Sequence, residues 1–186
     1  MQNNSLNTES LFESLQYTTK EFLKLVSSFD VVKINSIPFI NSWTAAQLAD
    51  HVTKSNKAII QAMGMQGTKA QRNAGERIQE LKDIFLNYQI KFQSPGFIKP
   101  TQQIYVKKIL VDDLQTSIER FKVAAGNADF MEIISLPAFG TITKLELAWF
   151  VLYHTQRHLH QLKKIFISLE NKHHFSKKTS RKSSGT

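Results

Sequence analysis

Residues 143–169 read TKLELAWFVLYHTQRHLHQLKKIFISL, an amphipathic helix whose start is written into its first residues. Thr143 followed three residues later by Glu146 is a capping box, in which each side chain satisfies the other residue's otherwise unpaired backbone N–H. From there Leu147, Val151, His154, His158, Leu162 and Ile165 recur at helical spacing and form an inward stripe running to about Leu169.

Working outward from that helix, three more can be read. Leu11, Leu15, Thr18, Phe22 and Val26, widened by Leu23 and Leu25, predict a helix over about 8–28. After the breaker Pro38, Thr44 and Gln47 form a second capping box, opening a helix through Leu48, His51, Val52, Ser55, Ile59 and Ala62 that Gly64 and Gly67 stop. Leu110, Leu114, Ile118, Phe121 and Ala125 mark another, with Gly126 at its C-terminal stop. The middle region, 66–111, reads weakly: a helix over about 74–88, then a loop from Phe92 through Pro95 and Pro100. No alternating strand pattern of useful length and no internal repeat appears. Four long amphipathic helices imply an all-α fold, a helical bundle, with ligand sites between facing helices.

The 186 residues, 41% hydrophobic and 21% charged, suffice for one sizeable core. The expected division is a bundle domain over 1–170 and a basic, solvated tail over 171–186. The net charge is +9, but five of the 24 basic residues lie in that acid-free tail, leaving the body with 19 bases against 15 acids and only mildly basic. Nucleic acid is therefore not the expected partner, although a contact through the tail stays open. The longest stretch without a polar side chain, 147–153, is far below the roughly 20 residues a membrane span needs. The first ten residues lack the basic stretch and apolar run of a secretory signal, so a cytoplasmic location and no membrane partner are expected. With no cysteine, disulfides, iron–sulfur clusters, thiolate zinc sites and a cysteine nucleophile are excluded, and any metal must be held by His, Asp or Glu.

His154 and His158 are four residues apart, which puts their Cβ atoms about 5–6 Å from each other on one face. That face is the inward one, and His51 lies between Leu48 and Val52 on the inner side of its own helix. Three imidazoles from two helices can fill three positions of a metal and leave at least one open, the arrangement of a catalytic rather than a closed structural site. Zinc or nickel suits this ligand set best, with manganese or iron as further options. The other reading is of three core histidines, each hydrogen-bonded to a backbone carbonyl. His160, about 200° around the helix from His158, should face solvent, and His173 and His174 fall in the tail. The stretch 154–158 lacks the glutamate of a zinc protease motif, so no carboxylate base is built in. Gln161 and Arg157 are candidates to orient a ligand or support the histidines, a surface ion pair being the alternative for Arg157. Leu48, Val52, Val151 and Leu162 would wall an apolar pocket.

Trp43-Thr44 leading to His51, followed by His154-x-x-x-His158-x-x-Gln161 near the end of a helical chain, resembles the DinB/YfiT superfamily over about residues 10–170. Phe92-Gln93-Ser94-Pro95 and Pro100 are similar to the Phe-x-x-Pro loop of its DinB-like subgroup. The resemblance implies a four-helix bundle of up-down-down-up type, commonly a homodimer, with a divalent metal held by His51, His154 and His158. It also implies a metal-dependent hydrolase or thiol S-transferase acting on a small substrate, with bacillithiol, mycothiol or glutathione as the thiol in characterised relatives. A non-catalytic ligand-binding or stress-response bundle is the alternative.

Overall fold

The computed structural model describes the backbone of residues 2–180 and the side chains of 8–172. Five helices and a small sheet follow in the order α1 (Gln2–Ser28), α2 (Ala45–Met63), β1 (Thr68–Lys69), α3 (Ile78–Phe85), α4 (Lys107–Gly126), β2 (Glu132–Leu136), β3 (Gly140–Thr143) and α5 (Lys144–Ser180). The long helices α1, α2, α4 and α5 form the bundle, and the short α3 lies against α5. Both capping boxes form. Thr44 Oγ1 accepts from Gln47 N at 3.1 Å while Gln47 Oε1 accepts from Thr44 N at 3.1 Å, and Thr143 and Glu146 repeat the exchange at 3.1 and 3.0 Å.

Three expectations need correction. The chain is not purely helical: β1, β2 and β3 form an antiparallel sheet, with Ile134 opposite Ile142 and Leu136 opposite Gly140. Its strands are too short to alternate visibly, and β3 occupies the residues read as the lead-in to α5. Gly67 does more than end a helix. A Cβ there would lie 2.7 Å from the Ile133 carbonyl oxygen, so only glycine permits the approach of β1 to β2. The helix read over 74–88 is shorter, Ile78–Phe85, and residues 72–77 before it are held in bend and turn geometry by their bonds to Thr143 and Glu146. Arg72 places both terminal nitrogens on the Glu146 carboxylate at 2.6 and 2.7 Å, the Arg77 backbone N–H donates to the same carboxylate at 2.8 Å, and Thr143 Oγ1 donates to the Ala74 carbonyl at 2.5 Å. At its other end α5 continues past Leu169 to Ser180, whereas residues 181–186, and the side chains of His173 and His174, lie outside the described residues.

The apolar core has two parts. The first joins Leu11 and Leu15 of α1, Ile59 and Met63 of α2, Phe121 and Ala125 of α4, Ile134 and Ile142 of the sheet, and Leu147 to Tyr153 of α5. The second joins Phe22 and Val26, Leu48 and Val52, Leu110 and Leu114, and Leu159, Leu162 and Ile165. Between them along the helices sit Thr18 and Thr19, Ser55 and Asn56, Ser117, and His154, Thr155 and His158, all buried. A polar layer therefore crosses the middle of the bundle, and every long helix contributes to it. Burying such groups is tolerable only when they are paired. Thr19 and Thr155 bond to carbonyls one turn back, and Asn56 donates to Ser117 Oγ at 3.1 Å.

Glu146 ties the start of α5 to the middle region. Its side chain is fully buried; burial works to raise its pKa, but the bonds from Arg72, Thr143 N and Arg77 N outweigh this and hold the carboxyl below its usual range. Glu146→Ala removes the cap and leaves these donors without an acceptor, and should cost about 3 kcal/mol. Urea unfolding measures this, and a loss within about 0.5 kcal/mol, the level of an ordinary surface change, would contradict the role given to the carboxylate.

Candidate metal centre

His51 enters the polar layer from the second turn of α2, behind the Thr44 cap, and His154 and His158 enter it from consecutive turns of α5. All three are buried, at 2%, 7% and 8% exposure. Their Nε2 atoms converge: His154 Nε2 is 3.2 Å from His51 Nε2 and 3.0 Å from His158 Nε2, and the three residues' ligand atoms all lie within 4.8 Å of one another.

The outer nitrogens fix what the inner ones can do. His51 Nδ1 donates to the Ile98 carbonyl at 3.0 Å, and His158 Nδ1 donates to Gln161 Oε1 at 3.1 Å. In a neutral imidazole the proton can be on only one nitrogen, so both of these rings turn an Nε2 lone pair toward His154. His154 has at most one proton to offer there, and one N–H cannot serve two acceptors well. A cation answers all three at once. An ion at about 2.0–2.1 Å from each nitrogen would hold tetrahedral ligand pairs about 3.3 Å apart, close to the two spacings seen. The donor set thus fits a borderline divalent metal, with three neutral nitrogens and no protein anion to offset its charge.

A family model for the DinB superfamily matches residues 14–162, a span that contains all three histidines and Gln161. The chain belongs to the DinB superfamily. Among solved structures it is similar to TT2238, whose crystal structure is described as that of a four-helix bundle protein, with TM-score 0.55 and 15% identity over 83% of this chain and 97% of that one. That likeness concerns the fold. No curated protein matches the sequence.

In this DinB-superfamily chain the rings are kept neutral, as ligands must be. Burial lowers the pKa of each. His158 is brought down to about 3 by burial and then by His51, although the Gln161 bond opposes the shift. His154 lies well below the ordinary value through burial and its neighbours His158, His51 and Arg157. His51 is lowered by burial against the opposing bond to Ile98 and the Asp50 charge.

The structure brings Gln161 to the histidines and bonds Arg157 to the backbone of residues 85–90. The Arg157 guanidinium donates to the carbonyls of Phe85 at 3.1 Å, Asn87 at 3.0 Å and Ile90, and lies 4.7 Å from the centre of the Phe92 ring. It pairs with no carboxylate among the described residues. His160 is not simply solvent-facing, since Tyr88 stacks on it at 4.0 Å. The walls also differ from expectation. Leu48, Val52, Val151 and Leu162 pack into the two cores, whereas the rings beside the histidines are Trp43, 5.1 Å from His51, and Phe150 and Phe85, 5.1 and 6.3 Å from His154.

Residues 86–105 close over this group as a strap, and the Phe92–Pro100 loop forms its middle. Besides the Arg157 and His51 bonds, Lys54 Nζ donates to the Lys99 carbonyl at 2.9 Å, Gln47 to the Gln102 carbonyl at 3.3 Å, and the Tyr105 hydroxyl to Asp50 at 2.8 Å. These bonds are mostly side chain to backbone carbonyl, so no residue type in the strap announces them. Only the bonding side chains on α2 and α5 could have hinted at a covering segment.

Each buried histidine has a folded-state pKa below its unfolded value, so between the two only the unfolded chain binds the proton. Stability should be level above about pH 7 and fall as pH drops below about 6.5, by up to about 1.4 kcal/mol per pH unit for each ring that stays neutral. Thermal melting in a chelator between pH 7.5 and pH 5 checks this. A midpoint that stays level in wild type, or falls equally in His154→Asn/His158→Asn, would contradict it.

Proposed function

We propose that this chain is a divalent-metal-dependent enzyme of the DinB type, in which His51, His154 and His158 hold the ion and a small electrophilic molecule is the substrate. The observation that carries the reading is the convergence of three neutral, buried Nε2 atoms, two of them with their outer N–H groups already committed. When bound there, a zinc or nickel ion supplies Lewis-acid activation of a low-molecular-weight thiol or of water, the S-transferase or the hydrolase form of the reaction.

The chain's own residues have separate tasks in this reading. Gln161 holds His158 in one tautomer and orientation, as Ile98 does for His51. Trp43, Phe85 and Phe150 exclude water and favour an apolar substrate. Arg157 acts at one remove: by gripping the carbonyls of 85, 87 and 90 it keeps the strap over the histidines, and substrate entry requires that grip to loosen. The up-down-down-up topology belongs to the same reading. It is supported by α1 and α5 running from the first core to the second while α2 and α4 run back. A cytoplasmic homodimer completes the proposal.

The alternative, a bundle that binds a small ligand without turnover, is favoured by one feature, the absence of any carboxylate from the histidine group. Elemental analysis of protein purified without a metal column tests the site, and turnover tests the class. Wild type is expected to carry about one ion per chain, lost in His51→Ala and in His154→Ala, and to conjugate or hydrolyse members of an electrophile panel. Full metal retention in His154→Ala, or no binding after addition of zinc, nickel or manganese, would overturn the metal assignment. Metal binding without turnover, with or without thiol, would select the ligand-binding bundle.

A further inference from the structure

Away from the histidines, the α1–α2 loop reads VVKINSIPFI over residues 31–40. Ile34 and Pro38 turn inward and anchor it, while Val31, Val32, Ile37, Phe39 and Ile40 face solvent, Ile40 at 92% exposure. Exposed Ile167 of α5 continues the patch across an open groove of about 570 Å³ between Phe39 and Lys164, Ser168 and Lys172.

This loop is built, not frayed. The Pro38 carbonyl accepts from Ser168 Oγ at 3.2 Å and Lys172 Nζ at 2.8 Å, Lys33 pairs with Glu170 at 2.6 Å, and Asn35 exchanges hydrogen bonds with the Tyr105 backbone at 2.9 and 3.0 Å. Holding several large apolar side chains in water on a rigid frame has no folding benefit and marks a contact surface.

The charge beside the patch is positive. Lys163, Lys164 and Lys172 are exposed around the groove, and the chain goes on through Lys177, Lys178, Arg181 and Lys182 with no acid after Glu170. Of the nearby acids, Glu170 is engaged by Lys33, and Asp30 accepts from the Val32 and Lys33 backbones. A second copy placed on the patch by a two-fold axis would set these lysines near their own counterparts. Nucleic acid would match the charge, but of the exposed patch residues only Phe39 could stack on a base, and it would gain nothing from Val31, Val32, Ile37 and Ile40. A surface of anionic headgroups over acyl chains satisfies both features.

We propose that the α1–α2 loop and the adjoining end of α5 form a peripheral docking surface for an anionic lipid bilayer, with Ile40 and Phe39 entering the headgroup boundary and the lysines meeting its charge. Two weak signals together, apolar insertion and a basic cluster, are what reversible membrane attachment needs.

The test is sedimentation of the full chain with phosphatidylcholine vesicles, with and without phosphatidylserine, at low and high salt. The expected result is binding only to the anionic vesicles, reduced by salt, lowered roughly tenfold in Ile40→Asp and several-fold in Lys163→Glu/Lys164→Glu, with the circular dichroism of both variants unchanged. No binding to anionic vesicles at low salt overturns the proposal, as does binding that Ile40→Asp leaves intact. Dimerisation in solution that Ile40→Asp abolishes, without vesicle binding, assigns the face to a second copy instead. Binding to soluble polyglutamate but not to vesicles assigns it to an acidic polypeptide. Neither outcome bears on the metal centre.

Discussion

Two outer N–H groups, His51 Nδ1 on the Ile98 carbonyl and His158 Nδ1 on Gln161, decide the chemistry at the centre of this bundle. Once they are committed, two lone pairs must point at a third imidazole about 3 Å away, in a place with almost no access to water. Protonating the rings would relieve the crowding of lone pairs, but burial and mutual repulsion oppose it. A divalent ion, as proposed, would satisfy the geometry and leave every ring neutral.

The rest of the fold can be seen as what makes that arrangement affordable. Threonine, serine, asparagine and histidine side chains occupy one layer between two apolar cores, and their bonds to helix carbonyls and to each other remove most of the cost of burial. The strap then closes the layer from outside. Because its Ile98 carbonyl orients His51, displacement of the strap and the hold on an ion bound there would be linked, and by reciprocity whatever tightened one would tighten the other.

Much of this was legible in the sequence where the signals are local. Thr44 with Gln47 and Thr143 with Glu146 marked two helix starts because a capping box is a four-residue event, and the His154 and His158 spacing is a single helical turn. The inward stripe then placed His51 opposite them. What escaped depends on contacts distant in the chain. Residues 72–77 stay out of the helix because Glu146 and Thr143 claim their side chains and backbone, and β1 and β2 meet through Gly67 at a separation no local window covers. The aromatic wall is legible only in part: Phe150 lies one turn before His154 on α5, whereas Phe85 faces the histidines only after α3 has packed on α5. Arg157 shows the converse limit: its position on α5 suggests a place beside the histidines, but that its donors meet the carbonyls of 85, 87 and 90 is visible only once the strap is folded over it.

X-ray absorption at the metal edge of the zinc-loaded protein tests the central claim most directly. The account predicts three imidazole nitrogens at about 2.0–2.1 Å and one further light ligand from outside the chain, with one imidazole fewer in His51→Asn. A shell of oxygens with no imidazole scattering, or a three-imidazole signal that persists in His51→Asn, would show that the ion sits elsewhere and that the convergence of His51, His154 and His158 serves only to build the core.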